Sequence, residues 1–532
     1  MMPKNMQNLR RQFLIGLSVV LGLIILAAFM VSAPVAFALP LQDLEQAPLH
    51  DRQMMTPTLK VRSLVTQPPV ARPADSFFVF LPLISRPPAP PLPPPARATF
   101  FVEPTIKTGS SSMLVDAQGG LHLAYANYLP PAEHPAAVYL YCAPSAPCGN
   151  ASSWHGVALA DRVNEVQLAL TRDGQPRLLI RAKSQTAGLD WDYFYAECNQ
   201  TCTNPLQWTG DWIVGSYGTS IFDINDDTSP QRSFALDSQD RPRFIYQDRN
   251  YPIEPDHIGA FYMACEADCA DGLNWTETQI SQTDGTPNYE VFDYPSLAFT
   301  ASGQPRVAAM IDPLGSDTAF YYVACDSNCD DVNQWQRVKL FERDSGPNVS
   351  WDIEVDQNDR PRIAFYKGAT LDNTGDQLYF VSCNTGDCLN AGAWQKLNLG
   401  LGSGVGKHPD LELTAQGQPR VAFIRKLGDG LGYTWCNAGC EATLASWHNT
   451  VVETATTLDQ QYPVARPPHC NVGLWSSLAP VLSLDTGGHP RVAYDIVYNT
   501  QCWYDDPNDG LPPFLVWHQL WHSVRGVIFP HP

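Results

Sequence analysis

The stretch 302–310, "SGQPRVAAM", decides how the chain is read, because it returns. Near copies begin at Asp173 ("DGQPRLLIR"), Gln239 ("QDRPRFIYQ"), Asn358 ("NDRPRIAFY"), Gln416 ("QGQPRVAFI") and Gly487 ("GGHPRVAYD"), with a worn one at Gln118 ("QGGLHLAYA"). Aligned on their Pro, or on Leu121 in the worn copy, the seven stand 55, 66, 63, 56, 58 and 71 residues apart. A period of that size marks a propeller in which each repeat is one blade.

Within the fourth copy the pattern gives four short strands: "YPSLAFT" (294–300), "PRVAAMID" (305–312), "AFYYVAC" (319–325) and "WQRVKL" (335–340). The opening string is then the hairpin between the first two. Gly or Asp supplies its turn conformation, and Pro is tolerated as the first residue of a strand. The Arg that follows (Arg177, Arg243, Arg306, Arg362, Arg420, Arg491) is expected to hold this hairpin rather than to form a charged binding ring.

A second signature closes the third strand. Cys142, Cys198, Cys265, Cys325, Cys383 and Cys436 follow aromatic-rich strings such as "FYMAC", and each has a partner close behind: Cys148, Cys202, Cys269, Cys329, Cys388 and Cys440. A Trp comes 6 residues after the partner in five copies (Trp154, Trp208, Trp275, Trp335, Trp394) and 7 after it in the sixth (Trp447). Local pairs of this kind in an exported chain indicate disulfides. They lack the nearby His or second Cys pair that a metal site would need. Cys470 and Cys502 remain and are expected to pair with each other, tying an insertion to the last blade.

Export is indicated by the N-terminus. A basic start, an apolar run over 13–31 and the small-x-small triplet 36–38 read as a signal peptide, or as a membrane anchor if retained. The 532-residue chain carries a net charge of −20, which becomes −23 without residues 1–38. Such a surface repels nucleic acid and anionic lipid. Residues 39–97 show no periodic pattern and end in "SRPPAPPLPPPAR" (85–97), a disordered, Pro-rich stalk. The propeller is expected over 98–532. Its ring should close through "TFFVEPTI" (99–106) as the outer strand of the last blade, with "GVIF" (526–529) competing for that position.

The repeat resembles those of secreted bacterial propellers with sialidase-type (BNR-like) repeats, whose hairpins carry an Asp-box-like turn; "DSQDRPRFIY" (237–246) and "DTGGHPRVAY" (485–494) show it best. The resemblance implies an all-β, seven-bladed propeller of four-stranded blades. The three converging arginines of a sialidase are not expected here, since the repeated Arg lie on different blades.

No catalytic motif with a fixed spacing occurs. The longer loops, which join second to third strands and successive blades, are the expected working face. Tyr217, Tyr251, Glu254, Asp256 and Tyr504 on that face are candidate ligand-binding residues, and Asp223, Asn225 and Asp227 offer oxygen ligands at the i, i+2, i+4 spacing of a calcium loop. The chain is therefore expected to be a secreted or membrane-anchored monomer acting as a binding or scaffold module for an extracellular glycan or protein. It would meet a membrane only through its N-terminal segment. The alternative is a glycan-active enzyme, hydrolase or lyase, with its site at the channel mouth. Two carboxylates about 5–10 Å apart in the channel would favour that alternative.

Overall fold

Each repeat forms one antiparallel sheet whose strands, apart from two additions from the N-terminal side, are neighbours in space as in sequence. The computed structural model describes residues 62–63, 98–105, 111–128, 135–186, 189–216, 232–249, 258–282, 290–312, 318–342, 349–368, 377–426, 430–464, 469–471, 473–504 and 514–531. All belong to one compact unit, Thr56–Pro532. Seven sheets are present, and each supplies one blade. Blade 4, for instance, comprises Val291–Phe299, Pro305–Asp312, Ala319–Ala324 and Gln336–Glu342. The apolar N-terminal run lies outside the described residues. Among those described, no helix is long and apolar enough to cross a membrane.

Ring closure follows the expected route. Blade 7 is ordered Ala98–Thr105, Phe514–Ile528, Pro490–Tyr504, Leu474–Leu484 from outside inward. The N-terminal strand therefore seals the last blade, and the competitor 526–529 is mostly the continuation of its third strand. One pairing arises within the region expected to lack structure: Arg62–Ser63 lies along the outer strand of blade 1.

The hairpin signature has a clear physical basis. Counted from the Asp or Thr that begins the hairpin (Asp116, Thr171, Asp237, Thr300, Asp356, Thr414, Asp485), the fourth residue adopts positive φ in all seven copies, as Gly119, Gly174, Gly303, Gly417 and Gly488 or as Asp240 and Asp359. Gly enters this region without a Cβ penalty, and Asp tolerates it better than most residues. Where Asp stands, its side chain serves the next blade: Asp240 accepts from the Arg172 amide at 3.1 Å, and Asp359 from the Ala301 amide at 2.6 Å. The Arg after Pro braces the blade. Arg362, for example, donates to the carbonyls of Pro361 and Cys383, and to Asp356 and Asn384.

The Cys-Trp spacing is explained by one recurring bond. All six local disulfides form, as does Cys470–Cys502. Each Trp Nε1 donates to the carbonyl of the second Cys of its pair, at 2.7–3.0 Å across the six blades. The Trp ring then packs on the aromatic residue three before the first Cys of the preceding blade: Trp208 on Tyr139, Trp275 on Tyr195, Trp335 on Tyr262, Trp394 on Tyr322 and Trp447 on Phe380. Adjacent blades thus share one apolar core, which is why the two signatures travel together.

The innermost strands are linked by a second belt. In five blades the side chain four residues before the hairpin's first residue reaches the next blade's backbone. The Oγ of Ser112 accepts from Leu168 N, Gln167 Oε1 from Phe234 N, Ser296 Oγ from Ile353 N, Asp352 Oδ2 from Leu411 N and Asp410 Oδ2 from Leu482 N. Ser483, two residues further along, accepts from Val115 N, and the Arg232 carbonyl accepts from Leu297 N. These bonds cross all seven junctions.

Candidate active site

Two blades break the inner-strand pattern. The residue two before the hairpin is Leu, Ala or Ser in five blades (Leu114, Ala169, Ala235, Ala298, Ser483), but Glu354 in blade 5 and Glu412 in blade 6. The residue four before is Asp352 and Asp410 in those same blades. Alternation along a strand places both acids of each pair on one face, so four carboxyl groups gather from adjacent strands.

Arg232 gathers them. It precedes the inner strand of blade 3 and reaches blades 5, 6 and 7. Its Nη1 lies 3.4 Å from Asp352 Oδ2, 3.3 Å from Glu354 Oε1 and 3.6 Å from Glu412 Oε1. Its Nη2 meets Asp410 Oδ1 and donates to the Leu482 carbonyl at 3.4 Å. Asp352 and Asp410 are buried. The Glu354 and Glu412 side chains keep 29% and 21% of their exposure. Because one oxygen of each carboxyl touches the same nitrogen, those two oxygens are at most about 7 Å apart, a bound compatible with paired glycosidase carboxylates.

One guanidinium cannot neutralise four carboxylates, and protonation makes up the difference. Burial raises the carboxyl of Glu412 to about 7; Asp352 adds to the rise and Arg232 opposes it. Burial, then Glu412 and Asp352, push Glu354 well above the ordinary carboxylate range against the pull of Arg232. Burial also pushes Asp410 well up. Both glutamates are thus held toward their protonated forms by burial, Glu354 well above the ordinary range and Glu412 at about 7, an environment of the kind that acid–base catalysis uses.

Access comes from the short-hairpin end. A cavity of about 780 Å³ opens among the hairpins of blades 1, 6 and 7, with Glu412, Asp116, Gln418, Arg420, Asn437 and Asp485 in its wall. Its lining is polar and its volume suits a small sugar. A second cavity, of about 420 Å³, lies between blades 4 and 5 on the same end.

Tyr217, Tyr251, Glu254 and Asp256 lie outside the described residues, as do the calcium candidates Asp223, Asn225 and Asp227. Tyr504 ends the second strand of blade 7, opposite Phe514. The acid cluster was missed because each residue was read within its own repeat. Comparing repeats would have found it: "DIEV" (352–355) and "DLEL" (410–413) occupy the same repeat position and stand out against their equivalents.

Neither a family model nor a curated protein matches the chain. Among solved structures it is similar to the α-L-arabinofuranosidase Arb93A of Fusarium graminearum, in complex with an iminosugar inhibitor, at 11% identity over 63% of this chain and 93% of that one, TM-score 0.40. It is also similar to an α-L-arabinanase of Penicillium chrysogenum complexed with arabinobiose (14%, 63% and 95%, 0.37) and to a family PL25 ulvan lyase bound to -[GlcA(1-4)Rha3S]- (13%, 66% and 82%, 0.37). All three are glycan-active enzymes. The expectation of a binding or scaffold module is corrected on this chain's own acid cluster, which fits its alternative, a glycan-active enzyme, better. No sialidase stands among these three, so the resemblance holds at the level of the propeller. At such identities the likeness is one of fold alone, and the chemistry must be read from this chain's own channel.

Proposed function

We propose that the protein is an exported glycan-active enzyme whose acid–base pair is Glu354 and Glu412. The observation that carries this reading is the pair itself: two partly exposed carboxyls on one guanidinium, both raised, with Glu412 in the wall of a polar cavity. Glu354, protonated at neutral pH, serves as general acid toward the glycosidic oxygen. Glu412, the less strongly raised of the two in this reading, serves as base or nucleophile. Arg232 fixes both carboxyls and keeps Glu412 within reach of neutral pH.

The export reading fits this role. Seven disulfides suit an oxidising compartment. In the arrangement proposed, residues 1–38 direct or anchor the chain, 39–97 form a stalk, and 98–532 present the channel to extracellular polysaccharide. The test is a polysaccharide panel, read as new reducing ends and as unsaturated products at 235 nm, with wild type, Glu412→Gln and Glu354→Gln. Turnover that drops about 100-fold or more in both variants supports the pair. Turnover that survives both substitutions refutes it.

A further inference from the structure

Blade 6 departs from the repeat in a second way, on the wall of the same cavity. Five of the six repeat arginines have a carboxylate partner: Arg177 with Glu197 at 3.7 Å, Arg243 with Asp237 at 3.0 Å, Arg306 with Asp326 at 2.7 Å, Arg362 with Asp356 at 2.9 Å and Arg491 with Asp485 at 2.6 Å. Arg420 has none among the described residues. It donates instead to neutral acceptors: the carbonyls of Pro419 and Cys436, Gln418 Oε1 at 3.1 Å and Asn437 Oδ1 at 2.9 Å. Its Nε is buried without a partner, and the residue is 3% exposed.

The sequence explains this. Where blades 3, 5 and 7 begin the hairpin with Asp, blade 6 has Thr414, and where blade 4 follows its first Cys with Asp326, blade 6 has Asn437. An ionised side chain buried without a counter-ion is costly, so its retention calls for an explanation outside the fold. The cavity's acids do not supply the missing charge. Asp116 faces His122 at 3.2 Å, Asp485 holds Arg491, and Glu412 holds Arg232. The positive potential is also felt by His531 in the same wall, whose imidazole is pulled down to about 4 by burial, Arg420 and His489. Its Nε2 is buried and unpartnered.

We infer that the blade-6 side of this cavity is a subsite for a carboxylate carried on a sugar ring, so that the glycan is an acidic, uronate-containing one. The inference rests on the glycan-active reading above and narrows its substrate class. Arg420 supplies the uncompensated charge. The amide of Asn437, whose oxygen faces Arg420, turns its NH2 outward as a donor, and the residue is exposed. On a molecule of net charge −20, such a pocket selects an anion locally that the surface as a whole repels.

The experiment uses the full chain and fluorescently labelled oligogalacturonate and oligoglucuronate, each beside its carboxyl-reduced neutral counterpart, with anisotropy as the readout. Wild type should bind at least one acidic form about tenfold or more tighter than its neutral twin. Asn437→Asp rebuilds in blade 6 the ion pair that Arg306 and Asp326 make in blade 4, so it should fold normally and abolish the preference. Gln418→Glu should act likewise, and Asn384→Asp, in blade 5 beside the already paired Arg362, should leave the preference intact. Equal binding of acidic and neutral forms, or a preference that survives Asn437→Asp, overturns the subsite. In that case continued turnover of a neutral glycan keeps the enzyme reading standing. Binding of neither form overturns the subsite too, and the polysaccharide panel then decides the broader reading. Competition by millimolar acetate as effective as by the uronates would show a generic anion hole and also overturn it.

Discussion

Replacing Arg232 by Met tests whether the channel cluster is one electrostatic unit. The side chain touches four carboxyl groups and is 20% exposed. Removing one member of a buried charge cluster costs about 3–5 kcal/mol when the remaining charge stays buried and unpaired. Arg232 lowers Glu354, Asp410 and Glu412 in the native protein, so its loss lifts all three further. A carboxyl whose folded value is raised contributes stability that is present below its unfolded value and is lost as pH rises through the folded one. For Glu412 that window runs from 4.5 to about 7 in the wild type, and the variant extends it to higher pH. At pH 5, below the value of Glu412, the charge contribution falls away and the loss shrinks toward a packing term of about 1 kcal/mol. Urea unfolding followed by Trp fluorescence, with disulfides intact, should therefore show a loss about 2 kcal/mol or more larger at pH 8 than at pH 5. A loss that is the same at both pH values, or under about 1 kcal/mol at pH 8, would refute the reasoning.

Three further outcomes follow from the same geometry. Glu412→Gln should flatten the stability profile between pH 4.5 and 7, a change of about 3 kcal/mol for one group, scored by denaturant titration at half-unit steps. Asp356 accepts from Arg360, Arg362 and two backbone amides, and lies below its ordinary value despite burial, chiefly through the Arg360 bond. It contributes stability above pH 3.8 that is lost as pH falls through its folded value, so Asp356→Asn should cost about 1–3 kcal/mol at pH 7 and little at pH 2, measured by thermal melts. Serine replacement of the Cys265–Cys269 pair should cost about 2 kcal/mol and that of Cys470–Cys502 about 4 in the chain-entropy model, since the closed loops differ so much in length. Equal losses for the two would show that native strain or denatured-state structure dominates.

The fold was legible in the sequence because its devices repeat. Positive φ at the hairpin, the Arg brace, the disulfide and the Trp bond each recur at fixed spacing. Even the closing strand could be read, since 99–106 stood where other blades are preceded by a fourth strand. The site was legible only as an exception to the repeat. Arg232 lies 120 residues before Asp352, the first of its acids in the chain, and nothing local links them; the ring brings them together. Loop length points elsewhere, toward Tyr217 and Tyr251, because long loops usually carry function. The short hairpins looked purely structural, yet their end opens the cavity that reaches Glu412.

The belt of bonds around the inner strands bears on how the molecule comes apart. In an open array each repeat touches two neighbours, and the ends can fray one unit at a time. Here the chain of acceptors runs from Ser112 round to Ser483 and back to Val115, so no blade is an end. Blade 7 draws its outer strand from the start of the domain and its other three from the finish. Loss of Ala98–Thr105 from its place beside Phe514–Ile528 would at once expose a sheet edge and free the N-terminal strand. The propeller should therefore lose structure as a single cooperative event, and its weakest point in time is the seam, which cannot form until Phe514–Ile528 has been synthesised.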